Sequence, residues 1–106
     1  MISIDEFKKI ELRIGKIEKV EEIPESKNLY KLLVDFGDEK KQIISGIKKY
    51  YKPDELEGNQ FLFVVNLEER KIMNQISQGM ILCAVDDKDL VLLIPQKPIK
   101  NGSKVS

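Results

Sequence analysis

Two apolar runs of strand length, QFLFVV and ILCAV, flank the stretch NLEERKIMNQISQGM at residues 66–80. Within it, Arg70 offers a planar fork and Lys71 a point charge, both suited to phosphate oxygens. Asn66 can pair with a base edge, and Ser77 and Gln78 are neutral hydrogen-bonding groups. Gly79 permits close approach, and Met80 presents a deformable apolar surface on which a base can rest. Such a set binds a polyanion and performs no reaction. About a dozen residues are spent where a short turn would join two strands, and connections of that length are uncommon unless functional. A purely structural use of the same residues stays open. Asn66 and Ser77 would then cap turns, Met80 would be core, and Glu68 and Glu69 would pair with Arg70 and Lys71.

Composition points the same way. The chain has no histidine, which removes the commonest general base and transition-metal ligand. No Gly-rich phosphate loop, Ser/Lys pair or cysteine cluster replaces it, so no catalytic residue, metal site or cofactor is expected. The single cysteine, Cys83 in MILCAV, reads as core packing. No apolar run is long enough to span a bilayer, and the opening MISIDEF has neither a basic lead nor an apolar signal core; a cytoplasmic protein without a membrane partner is expected.

The formal net charge is zero, but it is sorted along the chain. Residues 40–52, KKQIISGIKKYYK, carry five lysines (Lys40, Lys41, Lys48, Lys49, Lys52) and no acid, whereas residues 53–69 carry five acids and no base. Of eighteen basic residues only Arg13 and Arg70 are arginine. In a chain that otherwise uses lysine, that economy suggests arginine placed for its fork. Each lysine-rich run also has the simpler reading of a solvated face.

The elements that must position these groups are mostly strands. Ser3 and Glu6 have capping-box spacing, and Ile2 and Phe7 stand at hydrophobic-staple positions, which predicts a short helix from about Ile4 to Ile10. Runs at Leu12–Ile23, Leu29–Phe36 and Lys41–Ile47, separated by PESKN and GDEK, predict successive hairpins, with a change of phase at Gly15 in the first. Pro53, two acids and a closing Gly58 predict a second short helix. Gln60–Leu67, Gly79–Asp86 and Asp89–Pro95 complete the strands. One domain of 106 residues follows. Its expected fold is all-β, a five-stranded oligonucleotide/oligosaccharide-binding (OB) barrel with a short N-terminal helix, a short helix between strands three and four, and a C-terminal extension. An open α+β sheet is the competing arrangement.

The motifs NL then RK, SQGMIL, VDFGDEKKQIISGI, KYY with PDEL, and the opening ISIDEF with KIELRIGKI resemble, in order and spacing, the tRNA-binding domain family. That domain occurs at the C-terminus of many methionyl-tRNA synthetases and as free-standing dimeric proteins. The resemblance runs from Ile2 to about Ser103. It implies an OB barrel that binds tRNA by shape and backbone with little sequence preference, a homodimer formed through the terminal extensions, and association with the catalytic part of methionyl-tRNA synthetase. Asn66, Arg70, Lys71, Ser77, Gln78, Gly79 and Met80 match one family motif, Ser45 with Gly46 and Ile47 another, and Lys49, Tyr50 and Tyr51 a third. The family usually has a basic residue and a proline where this chain has Glu68 and Glu69, and a glycine at Asn74. Two acids beside the phosphate site shift the burden toward Lys48, Lys49 and Lys52. Two alternatives accompany the family: a peptide-binding export chaperone of the same fold, and a docking module with little RNA affinity.

Overall fold

The computed structural model describes every residue from Met1 to Ser106. Helix α1 spans Ile4–Phe7 and opens on the expected capping box: Glu6 N–H donates to Ser3 Oγ at 3.1 Å, and Ser3 N–H to Glu6 Oε1 at 3.2 Å. It is shorter than expected, and the residues up to Ile10 continue as tight turns, with Lys9 N–H donating to Glu6 O and Ile10 N–H to Phe7 O. None of the α1 residues is buried.

Strand β1 (Leu12–Glu22) is the hub. Its later half pairs with β2 (Tyr30–Asp35), which pairs with β3 (Lys40–Ser45), both antiparallel. Its earlier half pairs with β4 (Gln60–Val64), so that Lys16 lies opposite both Asp35 and Gln60. The phase change at Gly15 has a steric cause. A Cβ there would lie 2.6 Å from side-chain atoms of Phe36 and Val34, so the barrel interior has no room for one. The irregularity in the strand comes later, at a bulge between Ile17 and Lys19. Helix α2 (Pro53–Leu56) docks there. Leu56 is fully buried, Gly58 N–H donates to Ile17 O, and Val20 N–H donates to Glu57 Oε2.

The remaining strands are shorter than the sequence suggests. The long connection is not a loop throughout: β5 (Arg70–Ile72) and β6 (Gln75–Ser77) form a hairpin of their own. Its two-residue turn, Met73 and Asn74, has positive φ at both positions (48° and 64°), as a type I′ hairpin requires. The expected strand Gly79–Asp86 breaks at Leu82 into β7 (Met80–Ile81), paired with β4, and β8 (Cys83–Val85), paired with β9 (Leu90–Leu92). The C-terminal β10 (Lys104–Val105) returns to the start of β1.

The order β3-β2-β1-β4-β7 curls into a nearly closed five-stranded antiparallel OB-type barrel. Its interior is filled by Ile17, Leu32, Val34, Phe36, Ile43, Ile47 and Phe63, with Phe36 and Phe63 edge to face at 5.3 Å. Cys83 is half-buried and packs against this core, where burial pushes its thiol pKa up.

Candidate nucleic-acid interface

The hairpin β5–β6 projects beside the outer edge of β3, and side chains fix it there. Gln78 N–H donates to Gln42 O at 2.8 Å, Gln42 N–H donates to Gln78 Oε1 at 2.9 Å, and Gln42 Nε2 donates to Ile76 O at 2.9 Å. One step along, Ile44 N–H donates to Ser77 Oγ at 3.0 Å, and that hydroxyl donates to Gly79 O at 3.1 Å. These bonds close the barrel between β3 and the strand that follows the hairpin. Ser77 is only 5% exposed. Ser77 and Gln78, two of the residues expected at the interface, are thereby occupied in the seam. Gln78 Nε2 also donates to Glu69 Oε2 at 3.3 Å, tying the base of the hairpin to the seam.

Asn66 is similarly engaged. Its Oδ1 accepts Glu11 N–H at 2.8 Å and its Nδ2 donates to Lys9 O at 2.6 Å, so it holds the turn between α1 and β1. Ser45 lies at the end of β3 opposite Tyr30, half-buried. Met80 is exposed beside Val64 in β7. Its place is on a different strand pair from the hairpin.

The charges divide more sharply. Six basic residues carry an ion pair: Arg13 with Glu11, Lys19 and Lys31 with Glu21, Lys40 with Glu18, Lys41 with Glu39, and Lys48 with Glu22. Lys48 Nζ lies 2.7 Å from Glu22 Oε1 and also reaches Ser26 O, so its charge is largely spent within the fold. Arg70, Lys71, Lys49 and Lys52 are exposed and have no carboxylate within ion-pair distance. Glu68 and Glu69 form no ion pair with the arginine and lysine beside them, so the self-neutralising alternative is not what the hairpin adopts. Glu21, between Lys31 and Lys19, has its carboxyl pKa lowered, first by the hydrogen bond from Lys31 and then by that from Lys19.

Arg70 and Ser77 are cross-strand partners, and Ser77 grips Ile44. Strand β3 then continues past Ile44 to the turn that carries Lys49 and Lys52. The hairpin beside β3 therefore carries a free arginine and a free lysine, and the chain that follows β3 carries two more free lysines. What the sequence did not single out was the neighbour that lends this edge its rigidity, Gln42, whose side chain and main chain both enter the seam. No pattern in KKQIISGI marks it, because its partners lie 34 and 36 positions away.

The architecture, a small barrel with a hairpin before its last barrel strand, is that of the oligonucleotide/oligosaccharide-binding barrels. The family model described as "Putative tRNA binding domain" matches residues 12–104, and the chain belongs to that family. It is 51% identical over 105 residues to the methionine–tRNA ligase of Methanocaldococcus jannaschii, covering 98% of this chain and 16% of that protein. The chain thus spans about one sixth of the length of that curated relative. Among solved structures, a methionyl-tRNA-synthetase-related protein from Pyrococcus horikoshii superposes with a TM-score of 0.94 at 38% identity, covering 100% of this chain and 98% of that one. The chaperone CsaA from Bacillus anthracis gives 0.90 at 34% identity, covering 100% and 99%. These relatives are matched through a binding domain and not through a catalytic one. No helix is long and apolar enough to cross a membrane.

Proposed function

We propose that the chain is a tRNA-binding module, selective for folded structure and largely indifferent to sequence, that increases tRNA capture by methionyl-tRNA synthetase as its C-terminal domain or as a separate subunit. The observation that carries the reading is the family match over residues 12–104 together with the pair Arg70–Lys71, held on a braced hairpin with no carboxylate partner. Fixed, unneutralised cations release counterions from phosphates. A module of this kind raises the effective concentration of tRNA at a catalytic unit to which it is joined. Lys49 and Lys52 extend the phosphate track. Asn66, Ser77, Gln78 and Ser45 support it by holding the frame, with Lys48 contributing little charge, and Met80 offers apolar contact.

The test is a salt titration of tRNA binding. The wild-type chain should bind tRNA at low salt, with log affinity falling linearly against log salt. Arg70→Ala should flatten that slope by roughly 0.7 to 0.9, the share of one phosphate contact. No binding at low salt would defeat the reading, and an unchanged slope in the variant would make the hairpin a structural connector and move the phosphate contacts to the lysines of KKQIISGIKKYYK.

The likeness to CsaA supports a second reading, a peptide-binding chaperone. Competition separates the two: an unfolded polypeptide that displaces bound tRNA at equal concentration would favour the chaperone.

A further inference from the structure

We propose that Tyr50 is a stacking platform for one unpaired base of the bound RNA. This rests on the tRNA-binding reading above and adds to its phosphate contacts a site for a base.

Of the seven aromatic residues, six are buried or half-buried: Phe7, Tyr30, Phe36, Tyr51, Phe61 and Phe63. Tyr50 alone is exposed, at 47%. About half of its surface is open to water, and it lies outside the core cluster. Its backbone is held closely. Tyr50 N–H and Tyr51 N–H both donate to Ile47 O, at 3.0 and 3.1 Å, and Ile47 is fully buried. The next residue is anchored at both ends: Tyr51 O accepts the Tyr30 hydroxyl at 2.8 Å, and the Tyr51 hydroxyl accepts Leu92 N–H at 3.0 Å. The chain is fixed again where Lys52 N–H donates to Glu55 Oε1 at 2.8 Å. Tyr50 is thus an exposed ring on a turn anchored by hydrogen bonds, so little backbone entropy is lost when a base settles on it.

The surroundings select the ligand. Lys49 and Lys52, on either side, have no carboxylate within ion-pair distance. The nearest acids in sequence, Asp54 and Glu55, belong to the first turn of α2, and Glu55 is occupied by Lys52 N–H. An exposed aromatic with a free lysine one residue before it and another two residues after it fits a base flanked by its own phosphates. Aromatic faces take any base, because every base has a π-face. One platform, placed beyond the end of β3 and not on the sheet, supplies one stacked base. It therefore suits a folded RNA with an unpaired nucleotide better than a long single strand, which needs a row of such rings.

The test measures affinity and salt slope for Tyr50→Leu and Tyr50→Phe on two ligands, tRNA and a blunt RNA duplex without unpaired bases. Leucine keeps the apolar bulk and removes the ring. On tRNA it should weaken binding roughly five- to hundredfold, the range for one stacked base, with the salt slope unchanged. Phenylalanine should bind within about twofold of the wild type, as both rings stack. On the duplex all three proteins should bind alike. As an independent readout, tRNA should quench a component of the tyrosine emission that is missing from Tyr50→Phe. Tyr50→Leu binding tRNA within about twofold of wild type, an equal loss on the duplex, or a loss with a flatter salt slope would each overturn the proposal. A wild-type chain that binds no tRNA at low salt would instead overturn the functional reading beneath it.

Discussion

Ser77 Oγ accepts the N–H of Ile44 at 3.0 Å, so that a side chain stands where a backbone carbonyl would otherwise complete the ladder between β3 and its neighbour. Both residues are buried. Removing the hydroxyl leaves a buried N–H without a partner, which costs about 1–3 kcal/mol. Ser77→Ala should therefore lower the urea midpoint of the whole barrel. If the serine served only RNA, the variant would melt like the wild type and lose affinity alone; melts and tRNA titrations on one preparation decide between them.

The turn of the hairpin is the next place where sequence and backbone disagree. Met73 and Asn74 both hold positive φ, and methionine is poorly suited to that region. Replacing the pair with Asn-Gly, the preferred type I′ dipeptide, should stabilise the hairpin by about 1 kcal/mol, whereas Asn74→Ala should destabilise it by a similar amount. Because Arg70 and Lys71 depend on this hairpin for their position, Asn74→Ala should also weaken tRNA binding. Thermal melts and salt titrations of the two variants read both effects.

Much of the frame was legible in the sequence, for local reasons. The capping box of Ser3 and Glu6, and the helix between Pro53 and Gly58, involve partners within a few residues. The first two hairpins carry turn residues between alternating runs. The hairpin at Arg70–Ser77 was hidden because its turn, Met73-Asn74, lacks the glycine that marks such turns. The break at Leu82 was hidden because MILCAV is uniformly apolar, and only Leu62, which accepts Leu82 N–H, shows where the strand changes partner. The candidate site could be read in the sequence only as a set of residue types, with no sign of which of them the fold itself engages. Asn66 bonds to residues 55 and 57 positions away, and Ser77 to one 33 away. No spacing rule reaches so far. Lys48 and Lys49 are equivalent in the sequence, and only the fold brings Glu22 against Lys48.

That difference yields a prediction within one lysine run. Lys49→Ala and Lys52→Ala should each flatten the salt slope of tRNA binding by roughly 0.7 to 0.9. Lys48→Ala should change it far less, since its charge is already compensated by Glu22. Its effect on stability should also be small, within about 1 kcal/mol, as is usual for a surface ion pair.

Acid should loosen the β8–β9 turn. Asp86 accepts backbone N–H bonds from Lys88 at 2.9 Å and Asp89 at 2.7 Å, and these lower its pKa below the ordinary aspartate value. A depressed folded-state pKa means that the stabilisation is present above the unfolded value, near pH 4, and is lost as pH falls through the folded one. Amide exchange at Lys88 and Asp89 should therefore accelerate, relative to the core amide of Ile17, only on that acid limb. In Asp86→Asn, which keeps an acceptor and removes the titration, that acid-limb change should disappear.

The last prediction concerns assembly. Ile94 and Ile99 are 67% and 52% exposed, and they flank an apolar groove of about 470 Å³ lined also by Ile14, Leu62, Leu93 and Val105. Val85, at 70%, and Ile2 and Ile4 of the N-terminal turn are likewise exposed. Apolar surface of this extent, much of it on the two terminal extensions, suits a self-complementary partner, and a homodimer is the expected outcome. Sedimentation at micromolar concentration should give twice the 12.2 kDa chain mass. Ile94→Asp with Ile99→Asp should give the monomer without unfolding it, because both side chains already lie largely in water and only a partner would resent the charge. Gly102→Ala supplies an independent route to the same end. A Cβ there would sit 2.0 Å from the Phe36 carbonyl, at a φ of +89°, so the C-terminal extension must shift. If the extension forms the interface, that shift should weaken dimerisation as well. A wild-type monomer at micromolar concentration, or a double aspartate variant that remains dimeric, would place the apolar surface outside any self-association.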